Sequence, residues 1–146
     1  MVANKVTPEH VTVLKANQCF VFGSNKQGRH GAGAAHDAVA YFDAKEGVGE
    51  GFTGGCYAFP TVENLFPYTK VSVDSLNKSA KKFEKAVEDN PDIEFLVTPL
   101  GLGLAGFQIE VIAEALKGLI NKPNVWLPSV LIAYYDLQYQ INKTVL

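Results

Sequence analysis

Two glycine-rich segments, each lodged between an apolar β-prone run and a helical pattern, constrain this chain more than any other feature. Nine of its 13 glycines lie between Gly23 and Gly55, and three more between Gly101 and Gly106. Glycine weakens the interior of helices and strands, so such clusters mark places where the backbone turns tightly or is closely approached. Around them, strand and helix patterns alternate. Gln18 to Phe22 is β-prone and ends at Gly23, while Ala32 to Phe42 carries Ala34, Ala35 and Ala38, small enough for a helix to lie close on a sheet. Cys56 to Phe59 predicts another strand, stopped by Pro60, and Ile93 to Val97 a further one. Ser72 is placed to cap a long helix with Val73, Leu76, Ala80, Phe83 and Val87 on one face, ended by Asn90-Pro91-Asp92. The spacing of Ile109, Ile112, Leu116 and Leu119 predicts a helix over Ile109 to Ile120. Thr7-Pro8-Glu9 has the form of a helix start running to Leu14. Val125 to Leu127 fits a short last strand, and Ser129 to Ile141 fits either helix or strand.

This alternation predicts an α/β fold, with helices on both faces of a largely parallel sheet, in a single domain spanning residues 1–146. At 47% apolar residues the chain can bury a true core. Its net charge of −2, with twelve lysines and the single arginine Arg29, argues against duplex nucleic acid as a partner. Lys78, Lys81, Lys82 and Lys85 form a solvated helix face, since no aromatics or arginines are interleaved with them. Met1 to His10 has no apolar signal region, and the longest uncharged run, Phe95 to Ile109, is broken by Pro99 and three glycines. No membrane partner is expected, and the expected location is the cytoplasm. Cys19 and Cys56 lie in strand-like runs with no further Cys or His at zinc-ligand spacing, so both are expected to be buried free thiols. Nothing in these patterns calls for a metal or a cofactor.

In open α/β sheets, ligands bind at the carboxyl ends of the strands, where both glycine segments fall. The first comprises Gly23, Ser24, Asn25, Gly28, Arg29, His30, Gly31, Ala32, Gly33 and Ala34. Its Gly23-to-Gly28 spacing mimics a P-loop, but Arg29-His30 replaces the required Lys-Ser/Thr, which excludes that ATPase motif. What remains is a glycine loop feeding a helix N-terminus, whose free N–H groups and partial positive charge suit an anion. The second, with Gly101, Gly103, Leu104, Ala105 and Gly106, is a literal G-x-G-x-x-G between a strand and a helix. A dinucleotide-binding Rossmann site would need an acid after the next strand, and Asn121 to Ser129 contains none. A further match at Gly49 to Gly54 precedes a strand instead of following one, and Gly47 to Gly55 fits turn chemistry. Two such loops suit a ligand with a diphosphate. His30 and His36 are the acid/base candidates, with Arg29 and His30 expected to add positive charge beside a phosphate. Asp37, next to His36, points about 100° away on a helix and need not pair with it.

The segments Val21 to Asn25, Gly28 to His36, Gly47 to Gly55 and Tyr57 to Thr61 resemble the macro-domain-like group of small microbial proteins. Phe95 to Thr98, Gly103 to Phe107 and Asn124 to Pro128 continue the resemblance along nearly the whole chain. It implies a three-layer α/β/α sandwich around a mixed sheet, binding ADP-ribose or a related nucleotide. It further implies that Asn25 faces the distal ribose, that Gly31 to Ala35 and Gly103 to Phe107 form the phosphate-side loops, and that Phe107 borders the ribose. No counterpart of the adenine-reading aspartate or of the acid of hydrolytic members is found. Two other readings stand beside nucleotide binding. One is hydrolysis of ADP-ribosyl groups or of ADP-ribose 1″-phosphate, with Asn25, His30 or His36 positioning water. The other is a protein-interaction module using an exposed apolar segment, Val130 to Tyr135.

Overall fold

The computed structural model describes residues 1–145, and the side chains of residues 1–144. Seven strands and four helices follow one another along the chain. They are β1 (Val6–Thr7), β2 (Gln18–Asn25), α1 (Gly33–Phe42), β3 (Gly51–Thr53), β4 (Cys56–Leu65) and β5 (Tyr68–Lys70), then α2 (Val73–Asp89), β6 (Glu94–Val97), α3 (Ile109–Ala115), β7 (Val125–Pro128) and α4 (Ser129–Val145). The strands form one sheet in the order β1-β7-β6-β2-β4-β3, with β5 paired to β4. Every pairing is parallel except those of β3 and β5 with β4. The protein is thus a mixed α/β fold on a largely parallel sheet.

Period-two alternation sorts the central strands between two cores. Cys19 and Val21 of β2, with Tyr57 and Phe59 of β4, enter a large core shared with α2, α3 and α4. Phe20 and Phe22, with Cys56 and Ala58, enter a smaller one closed by Ala35, Ala38 and Phe42 of α1. Because both faces of these strands are covered, they show as unbroken apolar runs. The two cysteines are free and lie on opposite faces. Ser72 caps α2, its Oγ accepting from Ser75 N–H at 3.1 Å.

Four sequence expectations are overturned here, each by tertiary context. Thr7 to Leu14 is not a helix. Val6 and Thr7 pair with Leu127 and Pro128 as an edge strand, held by the buried Asn4 side chain, which donates to the Leu119 and Val125 carbonyls. Val11 and Leu14 pack on the smaller core from irregular backbone. Pro60 does not end its strand, because β3 pairing stops at Ala58 and β5 pairing begins at Val62, leaving no outer neighbour that needs its N–H. The helix from Ile109 ends at Ala115 and passes into a 3₁₀ turn, Lys117–Leu119, where a side chain at Gly118 would collide with the Glu84 carboxylate. The segment Val130 to Tyr135 is not an exposed tail: it lies in α4, with Leu131 and Tyr135 buried in the large core.

Candidate functional site

Strand order decides where the site forms. From β2 the chain builds outward to β4 and β3, then returns to the other side of β2 with β6 and β7. The carboxyl ends of β2 and β6 are therefore neighbours at a topological switch point, and the connections leaving them diverge to open a crevice. These connections are the two glycine loops. Gly23 lies beside Leu100 of the second loop, where a Cβ would make ordinary van der Waals contact with the Leu100 Cβ at 3.4 Å.

Between the loops lies a cleft of about 520 Å³. Gly23, Ser24, Asn25, Arg29, Gly31, Ala32, Gly33 and Ala34 line it from the first loop, and Gly101, Gly103, Leu104 and Ala105 from the second. Two further walls were not marked by the sequence. One is the β4–β5 hairpin with Thr61, Val62, Leu65 and Tyr68; the other is Thr98-Pro99. Lys70 fixes the hairpin to the second loop, its Nζ 3.5 Å from the Gly106 carbonyl and 4.9 Å from the Phe107 ring centre. A second hollow shares Gly33, Ala34, Thr98 and Pro99 with the first and continues along Pro8 to Thr12, Phe20, Asp37 and Tyr41.

The α1 N-terminus opens onto both hollows. Ala32 stands at its cap without a side-chain cap bond, and its first turn contains no acid. Gly33 has φ +60°, a left-handed conformation that turns the loop into the helix and strains any L side chain. Neither Gly31 nor Gly103 has any atom within 4 Å of where a Cβ would be, so side chains there would enter open space.

Asn25 is buried, and its carboxamide clasps the loop across four residues. Nδ2 donates to the Arg29 carbonyl at 2.7 Å, and Oδ1 accepts from Arg29 N–H at 3.0 Å. Each end keeps one further hydrogen-bonding position. The adjoining Arg29 is exposed, and among the described residues no carboxylate pairs with it.

Five residues proposed for the site stand elsewhere. His30 is only 3% exposed and turns away from the cleft. Its Nε2 bonds the Val48 carbonyl at 3.0 Å, its ring meets Phe22 edge-on, and its backbone N–H donates to the Glu46 carboxylate. It therefore adds no charge beside a ligand, and pins the segment 46–49 to the first loop. Gly28 serves the same contact: a Cβ there would collide with the Gly47 backbone, whose N–H donates to the Gly28 carbonyl. Gly106 makes a turn, its N–H bonded to the Gly103 carbonyl. Phe107 is buried in the large core instead of bordering the cleft. His36 is exposed on α1 outside the cleft, with Nδ1 3.6 Å from the Asp37 carboxylate. The glycines of 47–55 do more than make turns, since Gly49 lies against the Asn25 carbonyl and accepts the Ser24 hydroxyl.

No family model and no curated protein matches the sequence. Among solved structures, the chain is similar to a protein of unknown function from Bacteroides thetaiotaomicron. The TM-score is 0.58 at 12% identity, over 80% of this chain and 89% of that one. That likeness concerns the fold alone.

Proposed function

We propose that this is a macro-domain-like protein whose cleft binds ADP-ribose or a related nucleotide diphosphate. One observation carries the reading: two glycine loops, at the carboxyl ends of adjacent parallel strands, frame a single cleft onto which an uncapped helix N-terminus opens. Backbone N–H groups and the helix dipole favour an anion at that point. The volume of the cleft falls in the range of about 300–1,000 Å³ usual for small-molecule sites. The diphosphate belongs at Gly33-Ala34, which both hollows share, so that one end of the ligand extends toward Asn25 and Tyr68 and the other toward Pro8 to Thr12. Binding is favoured over hydrolysis because His30 and His36, the acid/base candidates, lie outside the cleft.

Calorimetric titration with ADP-ribose, NAD and AMP tests this. Saturable binding of ADP-ribose is expected, weakened about tenfold or more (~1.4 kcal/mol) by Gly31→Val or Gly103→Val. Both sites have room for the added side chain, so folding should survive. Absence of heat and of any thermal shift at millimolar ligand would defeat the proposal, and unchanged affinity in both variants would displace the cradle.

A further inference from the structure

The connection from α1 to β3 does not line the cleft, yet residues 46–49 of it are bonded all along the first glycine loop. The Ser24 hydroxyl donates to the Gly49 carbonyl, and the Gly47 N–H donates to the Gly28 carbonyl at 2.8 Å. His30 contributes twice: its Nε2 bonds the Val48 carbonyl at 3.0 Å, and its backbone N–H lies 3.3 Å from each Glu46 carboxylate oxygen. Both ends of the connection are anchored elsewhere. Lys45 N–H donates to the buried Thr53 hydroxyl of β3 at 2.8 Å, and Glu50 accepts from Lys82 of α2 at 3.4 Å.

These bonds surround one residue. Gly28 and His30 flank Arg29 and are both held from behind, while the Asn25 carboxamide takes the N–H and carbonyl of Arg29 itself. The backbone of Arg29 is thus fixed and its side chain left exposed, and among the described residues that line the cleft it is the one with a charge. The imidazole of His30 adds a second observation. Its Nε2 faces a carbonyl and so carries the hydrogen, which leaves Nδ1 as an acceptor, buried with no partner among the described residues. An unpaired buried acceptor costs stability, so what this ring contributes is its bond to Val48.

We infer that residues 46–49 are a strap that presents Arg29 to the ligand of the cleft, with His30 and Glu46 as positioning residues that do not touch it. A guanidinium on a fixed backbone has less freedom to lose when it meets an anion, which leaves more of the contact as affinity. The identity of the ligand rests on the nucleotide-binding reading above; the holding of the loop does not.

Two pairs of variants test this, each followed by ADP-ribose calorimetry and by amide hydrogen exchange of the free chain. Glu46→Ala removes an exposed acceptor that Glu46→Gln restores; His30→Leu removes a donor that His30→Gln restores. Glu46→Ala and His30→Leu should each weaken ADP-ribose binding about tenfold and speed exchange across residues 26–31, with α2 and β6 unchanged. The Gln variants should stay within about threefold of the native affinity. In an Arg29→Ala background, Glu46→Ala should have little further effect, because the strap acts through Arg29. If His30→Leu does not fold, the exposed Glu46 pair decides alone. Native affinity and exchange in Glu46→Ala overturn the inference, as do faster exchange with unchanged affinity, equal losses in the Gln variants, or an additive loss in the Arg29→Ala background. A native chain that takes up no ADP-ribose defeats the nucleotide reading instead. Exchange then decides the strap: faster exchange across residues 26–31 upholds it, and unchanged exchange overturns it.

Discussion

At the scale of single residues, the side chains nearest the cleft spend their polar atoms on holding backbone. Asn25 closes the first loop on Arg29, Ser24 bonds the Gly49 carbonyl, and Thr98 bonds the Val21 carbonyl at 2.7 Å. Deleting such a group leaves its buried partner unsatisfied, at about 1–3 kcal/mol. Asn25→Ala should therefore lower the free energy of unfolding by an amount in that range and weaken ADP-ribose binding as well. Equal stability of the variant in a denaturant titration would contradict the clasp. The sequence marked Asn25 as a site residue but could not assign its hydrogen bonds, because the acceptor is a carbonyl four residues on whose direction depends on the loop. His30 was misread for a related reason. Its neighbour Arg29 is exposed, and nothing local tells that the imidazole turns inward to Val48, 18 positions away.

Among the elements, α2 was legible almost residue by residue because cap, periodicity and stop signals agree along it. Its Ser72 cap gives an independent check: Ser72→Ala should cost about 1 kcal/mol, read as a shifted denaturation midpoint at unchanged slope. No shift would show that the Ser75 N–H is equally well served by water. The elements that went unread are short or marginal. β1 has two residues and β5 three, too few for a period to declare itself, and both exist because a neighbouring strand offers them an edge. The β4–β5 hairpin, which supplies a wall of the cleft, escaped for that reason. The ambiguity of Ser129 to Ile141 is resolved by packing: Leu131 and Tyr135 sit four apart, and Tyr135 donates to the Ala113 carbonyl at 2.6 Å.

For the molecule as a whole, the two central strands bury groups that shape its behaviour in alkali, as α4 does with Tyr135, whose phenol is likewise pushed up by burial. Burial pushes the Cys19 and Cys56 thiols from 9.0 up to about 12, and Tyr57 from 10.0 up to about 12, each with smaller contributions from nearby negative charge. These groups ionise in the unfolded chain first. Their contribution to stability is complete below about pH 9 and is lost as pH rises through about 12. Denaturation followed across pH 8 to 12 should show stability falling in that window, and the thiols should resist alkylation at pH 8 until the chain unfolds. Reaction of either thiol in the native protein would show that the core opens. By itself, the sequence determined which segments are apolar enough to be covered on both faces, where α2 and α3 start, and that two backbone loops lie at strand ends, since all these follow from local composition and period. Only the tertiary structure decided that β2 and β6 are neighbours. That single pairing sets two loops nearly 80 positions apart on one cleft, while His30 turns inward against Phe22 and Val48 and Phe107 into the large core. Side-chain direction and long-range pairing are set by what a residue packs against, and for these residues the packing partners are distant in the chain.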